Sequence, residues 1–311
     1  MNFELFQVCF KEEHFKDVDI KFKAYDNLEN KNSGLREYPI MMDLYNKNND
    51  KLDAWGTFGP TWQKKLRYSS IEITETITST WNDYDIWIFN PARIVASLTR
   101  SPWSMGNMSH PGLLNIGHYL LSEAIPKDSK INLTQCLGST YPTEILCYAN
   151  YFVAKKEFWK KYLEWIYPIA HSMIDEKLPR TLINVYRNAH YATDEKLTMF
   201  SFVIERMLST YLFINDDISF YSRPVHLEEY YEGRFNNFQL NPLLKFKKYF
   251  DAVDLIRNAN VIKNIAIKNK NPELLTAWGQ YVNFLVEKYP NILVLDDYRF
   301  LTGEWEWKGR I

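Results

Sequence analysis

The first third of the chain alternates between short β-rich apolar runs and stretches whose apolar residues recur at helical spacing. Phe3 to Phe10 and Asp19 to Tyr25 read as strands, the second alternating as Ile20, Phe22 and Ala24 before an Asp26-Asn27 turn. Ser33 is placed to cap a helix carrying Ile40, Met41, Leu44 and Tyr45 on one side, and Asn46 to Asp50 is a polar break. Ala54 to Pro60, with Trp55, Gly56, Phe58 and Gly59, reads as a glycine and aromatic loop leading into Trp62-Gln63-Lys64-Lys65. Ser69-Ser70 can cap a helix from Ile71 towards Trp81, with Glu72 in its first turn against the dipole, although the β-branched stretch from Thr74 suits a strand as well. Asp85 to Phe89 is too short for a helix and reads as a strand. Such alternation predicts an α/β sheet flanked by helices, with a ligand crevice at the carboxyl ends of its strands.

Further along, Ser101 to Gly112 reads as a long loop rich in Gly, Pro and polar residues, a candidate lid or binding wall that contains His110. Leu113 to Glu123 has helical spacing. Thr143 to Val153, with Glu144, Tyr148 and Asn150, leads into an amphipathic helix, Lys155 to Ile166, whose inner face is Phe158, Trp159, Tyr162, Leu163 and Ile166. Leu197 to Ile214 is apolar throughout except for the adjacent pair Glu205 and Arg206, which implies a helix buried all round. Adjacent helical residues diverge by about 100°, so each charge is expected to find its own partner in the protein or in a ligand pocket. Helical patterns over Asp251 to Lys268 and Pro272 to Tyr289 predict a mainly helical extension, 216–311, packed on a core of 1–215.

Composition narrows the classes. The 311 residues are 46% hydrophobic and 16% aromatic, which excludes disorder and supplies a large core. Lys and Arg number 37 against 38 acidic residues, a net charge of -1, so nucleic acid is not indicated as a ligand and any anion must be held locally. Cys9, Cys136 and Cys147 are odd in number and form no C-x-x-C or Cys/His cluster, which fits neither a disulfide framework nor zinc. The N-terminus lacks the basic and apolar regions of a signal peptide, and no apolar run reaches the ~20 residues of a bilayer span. A cytoplasmic protein, or one peripheral at the inner face of the membrane, is expected.

The chemistry centres on Asp83-Tyr84-Asp85. In a strand, residues i and i+2 share a face, so both carboxylates of a D-x-D can address one hard cation, which keeps its other positions for water and phosphate oxygens. Turn and cap roles for Asn82, Asp83 and Asp85 are the plainer alternative. The motif precedes its apolar run, whereas a crevice site would follow one. No G-x-x-x-x-G-K-[ST] phosphate loop is present.

Taken in order, REYPIMMDLY (36–45), WGTFGPTWQKK (55–65), DYDIWIFNP (83–91), MGNMSHPGL (105–113), CYANYFVAKKEFW (147–159) and FVIERMLSTYL (202–212) resemble glycosyltransferase-like proteins of bacterial capsule and surface-polysaccharide gene clusters. The likeness covers about residues 1–215. It implies a GT-A-like, Rossmann-related mixed sheet, and transfer of a sugar from a nucleotide-diphospho-sugar donor to a glycan or lipid-linked glycan acceptor. By that resemblance Asp83 and Asp85 would hold Mn²⁺ or Mg²⁺ against the donor diphosphate, with Lys64 or Arg206 assisting. Glu144, Asp194 and Glu205 are candidates for the base that deprotonates the acceptor, and His110 for a further acid–base or hydrogen-bonding group. Trp62, Trp103 and Tyr148 could present ring faces to nucleoside or sugar. Two other readings stay open: a non-catalytic scaffold of a polysaccharide assembly complex, and a metal-dependent phosphotransferase or hydrolase.

Overall fold

A computed structural model describes residues 1–29, 33–66, 68–125, 130–189, 198–223 and 242–288. Its centre is a six-stranded mixed sheet of β1 (Phe3–Cys9), β2 (Phe22–Asp26), β3 (Ala54–Phe58), β4 (Ile86–Ile88), β5 (Phe152–Lys155) and β6 (Phe220–Ser222), in the order β2-β1-β3-β5-β4-β6. All neighbours run parallel except β5, which is antiparallel to both β3 and β4. The sheet runs past residue 215, where the sequence pattern places the edge of the core, because β6 pairs with β4.

Both faces of the sheet are covered, which is why its central strands read as continuous apolar runs. In β4, Ile86 and Ile88 enter one hydrophobic cluster and Trp87 enters the other. The first cluster is closed by α1 (Glu37–Asn48), α6 (Leu113–Ala124), α8 (Lys156–Ile174) and α10 (Phe200–Ile214). The second is closed by α2 (Trp62–Leu66) and α3 (Ser70–Ser79), through Trp62, Leu66, Ile73 and Ile77. Two of the buried indoles are partnered: Trp159 Nε1 donates to the Trp55 carbonyl at 2.9 Å, and Trp62 Nε1 donates to the fully buried Gln7 at 3.1 Å.

Several local expectations need correction. Ala54–Phe58 is a strand, not a loop; burial on both faces removes the alternation that would mark it. A Cβ on Gly56 would stand 2.3 Å from the Phe152 carbonyl oxygen, so glycine here allows the close approach of β5. Pro102–Ser109 is likewise helical (α5), with Pro102 in the first turn, where its missing N–H costs nothing, and Ser101 and Ser104 forming a reciprocal cap. Ser69 caps α3 as expected and does so in a capping box with Glu72, whereas Ser33 begins a short 3₁₀ turn and α1 starts only after Arg36. Ile20 is 92% exposed because β2 begins at Phe22 and forms the sheet edge. The helix expected from Lys155 begins at Lys156 and runs on to Ile174 through Pro168.

After β6 the described chain resumes in α11 (Pro242–Lys268) and α12 (Pro272–Lys288). The helix α11 docks through one face. Asn260 hydrogen-bonds to Thr143, Asn264 donates to Glu144, and Lys263 Nζ donates to the carbonyls of Ala96 and Thr99, both at 2.8 Å. Those carbonyls end α4 (Arg93–Leu98), where a cation complements the helix dipole, and the ammonium also lies 5.4 Å from the Trp278 ring centre. Burial outweighs these contacts and the pull of Glu144, and pushes the Lys263 amine down to about 7.

Two outcomes are expected. Gly56→Ala should lower stability by about 2 kcal/mol or more in urea unfolding, since the clash is with backbone and cannot be relieved by a rotamer change. For Lys263, the folded value of about 7 lies below the unfolded value of about 10.4, so between them the unfolded chain holds a proton that the folded chain has lost. Stability should therefore rise with pH across that window. Urea titrations at several pH values should show that slope reduced in Lys263→Met.

Candidate functional site

Because β1 and β3 are parallel, the segments that follow them emerge side by side at one edge of the sheet. Because β5 is reversed, the segment that precedes it emerges at the same edge. Together with the turn before α1, these segments enclose a cleft of about 850 Å³, within the range of small-molecule sites. Its polar lining includes Lys11, Arg36, Glu37, Thr57, Lys65 and Tyr151.

Three of the non-glycine residues with positive φ stand around this cleft. Arg36 (φ 50°, ψ −120°) lies on one wall, Ala149 (φ 68°) lies on another, and Asn150 (φ 52°) follows it. Each such conformation costs on the order of 1 kcal/mol and persists where the surroundings over-determine it, as at ligand sites. One determinant is visible: Glu205 Oε1 accepts the Ala149 N–H at 2.9 Å, which ties the cleft wall to α10.

The electrostatics of the cleft are mixed. Lys65 lies 5.8 Å from the Tyr151 ring centre, and among the described residues its ammonium has no hydrogen bond or ion pair. Glu37 begins α1, and its carboxyl is held above the ordinary range. Loss of solvent is the main cause and the Glu205 carboxylate adds to it, while the backbone N–H of Glu37, Arg36 and Lys65 pull it down. A carboxyl whose proton affinity is raised and that is flanked by cations can exchange a proton beside a bound anion.

The residues proposed from the sequence fall elsewhere, with one partial exception. Asp83 is exposed in a turn. Asp85 precedes β4, accepts from the Ser219 hydroxyl at 2.7 Å and lies 3.7 Å from Lys155 Nζ. The register of β4 and β3 against β5 puts this carboxylate at the amino edge of the sheet, a strand length of about 15 Å from the cleft edge. Among the described residues no group of three or more His, Cys, Asp or Glu could hold a metal. Lys64 is exposed outside the cleft, and its neighbour Lys65 is the one that enters. Trp62, Trp103 and Tyr148 are core residues, each with its polar atom bonded internally: to Gln7, to Thr210 and to Thr99 respectively. His110 is buried against Phe202, with ring centres 3.6 Å apart, at the end of α5. Glu144 faces Asn264 of α11. Asp194 lies outside the described residues.

The exception is the pair in α10. Contrary to the expectation for adjacent helical residues, Arg206 and Glu205 do pair, because the long guanidinium folds back along its own helix. Arg206 Nη1 also donates to the Phe202 carbonyl at 2.8 Å and Nε donates to the Pro102 carbonyl at 3.4 Å, so the buried cation is structural. Glu205 has its second oxygen on the cleft wall. Sequence reading missed Arg36, Glu37, Lys65 and Lys11. The available signal was position: all four follow or closely approach the carboxyl ends of β1 and β3.

Compared with protein-family models, curated proteins and solved structures, the chain matches none. The fold is that of a mixed-sheet α/β protein, with the cleft at its strand ends. No described helix is long and apolar enough to cross a membrane.

Removing Arg206 should leave Glu205 uncompensated and two carbonyls bare. Arg206→Met is expected to cost about 3 kcal/mol in urea unfolding, somewhat below a fully buried pair since Glu205 is 28% exposed. Glu205→Gln, which can still accept from Ala149, should cost about 1 kcal/mol.

Proposed function

We propose that the protein is a glycosyltransferase that takes its nucleotide-diphospho-sugar donor in the cleft at the ends of β1 and β3. The carrying observation is the meeting there of three cationic side chains, Lys11, Arg36 and Lys65, with a carboxyl, Glu37, whose proton affinity is raised. A mixed sheet of Rossmann-related type is what the sequence resemblance implies, and a crevice at strand carboxyl ends is where such sheets take ligands. In this reading the fold is GT-A-like, and the acceptor is a surface glycan or its lipid-linked precursor met at the membrane face.

The implied chemistry needs one proton transfer. As the acceptor hydroxyl oxygen bonds to the anomeric carbon, Glu37 takes its proton, the bond from that carbon to the diphosphate oxygen breaks, and its electron pair leaves on the diphosphate. The cations stabilise the charge that develops there. A Mn²⁺ or Mg²⁺ ion held by Asp83 and Asp85 does not fit this site, because both carboxylates stand at the opposite edge of the sheet and one is already engaged by Ser219 and Lys155. Glu205 supports the wall and raises the affinity of Glu37 for its proton, and is therefore placed as a positioning residue.

Release of nucleoside diphosphate from a panel of nucleotide sugars, with glycan acceptors present, tests the reading. Activity should rise with pH through a limb above the ordinary carboxylate range, since the base works only once deprotonated and its folded value is raised. Glu37→Gln should lower kcat by about 100-fold or more and abolish that limb while the melting temperature holds. A fully active Glu37→Gln enzyme would assign the base elsewhere, and no turnover with any donor would remove the reading.

A further inference from the structure

We infer that the cleft binds a diphosphate directly through side-chain cations, with Lys65 as its principal anchor, and that this binding requires no divalent metal. The inference rests on the proposed donor site for the identity of the natural ligand, but not for the capture of the anion itself.

Three observations carry it. First, the cleft's charge is supplied from separate segments: Lys11 after β1, Arg36 before α1 and Lys65 on α2, against Glu37. A diphosphate needs donors from several directions, and convergence from distant parts of a chain supplies them. Second, Lys65 is half-buried and lies near the Tyr151 ring, while its ammonium donors are uncommitted among the described residues. A lysine positioned in this way loses little further entropy when an anion arrives. Lys64, one residue earlier, points to solvent, so helix phase alone selects which of the two serves.

Third, the carboxylates whose spacing suits a metal are at the wrong edge. Lys155 beside Asp85 already supplies it with a positive charge, and Ser219 takes its second oxygen. Among the described residues, Glu37 is the only acid lining the cleft, and its carboxyl disfavours ionisation there. Raised proton affinity makes it a weaker hard-cation ligand, because metal and proton compete for the same oxygens. The positive charge that a divalent ion would bring is instead built into the chain.

The test is calorimetric titration of the full chain with inorganic pyrophosphate and with nucleoside diphosphates, each in EDTA and in Mn²⁺. Binding in EDTA is expected, with affinity that falls as salt is raised and is unchanged within about twofold by Mn²⁺. Lys65→Ala should weaken pyrophosphate binding about tenfold or more and Lys65→Arg should restore most of it, while Asp83→Asn and Asp85→Asn bind like the parent chain. If Lys65→Ala fails to fold, Lys11→Ala, in a more exposed residue, and the salt dependence of the parent chain still decide the question. Binding that appears only with Mn²⁺, that is lost in Asp85→Asn, or that is indifferent to both lysines overturns the inference. The two readings fail separately. Pyrophosphate captured in EDTA with no turnover of any nucleotide sugar removes the transferase and leaves the anion site; turnover that needs Mn²⁺ does the reverse.

Discussion

A single reversed strand organises this molecule. Were β5 parallel to its neighbours, the segment before it would emerge at the amino edge of the sheet and the cleft would lack a wall. Reversal brings Ala149 and Tyr151 beside Gly59 and Thr57, so that the entrance to one strand and the exits of two others share an edge. The pairing depends on Gly56, where the Phe152 carbonyl oxygen occupies the space any side chain would need. Even the strained backbone at Ala149 follows from it: the chain must turn sharply from the core into β5, and the carboxylate of Glu205 secures the turn.

The charges are sorted by their surroundings. Arg206 sits in the core, bonded to two carbonyls and to Glu205, and joins α10 to α5. Gly106 makes this possible, since a Cβ there would lie 2.5 Å from Nε of Arg206. Lys263, equally buried, closes the end of α4 and fastens the C-terminal helices. Lys65 is the contrast, being held in place by an aromatic ring but not consumed by the fold. Lysine and arginine content says nothing about this division, which comes only from where each helix turns its face.

Much of the architecture was legible in the sequence. A β-rich apolar run marked β1, alternation marked part of β2, the cap at Ser69 marked α3, and the apolar stripe of Phe158, Trp159, Tyr162 and Leu163 marked α8. What escaped did so for physical reasons. β3 lacks alternation because both its faces are buried, and α5 carries Pro102 and Gly106, which punctuate loops in general but here start a helix and accommodate an arginine. The D-x-D spacing was visible, yet which edge of the sheet it occupies depends on strand order and direction, which no local pattern encodes. Glu37 and Lys65 are chemically ordinary in sequence; only the parallel pairing of β1 with β3 and the placement of α1 bring them together.

The strand pairing also has a consequence for how the protein is made. β3 and β5 are separated by about one hundred residues, and β6 joins β4 from farther still. During synthesis at roughly 5–20 residues per second, β3 waits for seconds with its inner edge bare before the strand that covers it has left the ribosome. Such long-range closure is slow and leaves an apolar edge open to pairing with another chain. The cleft can thus form only once β5 is in place, and an anion that fits it would select the sheet closed by β5 over every earlier assembly.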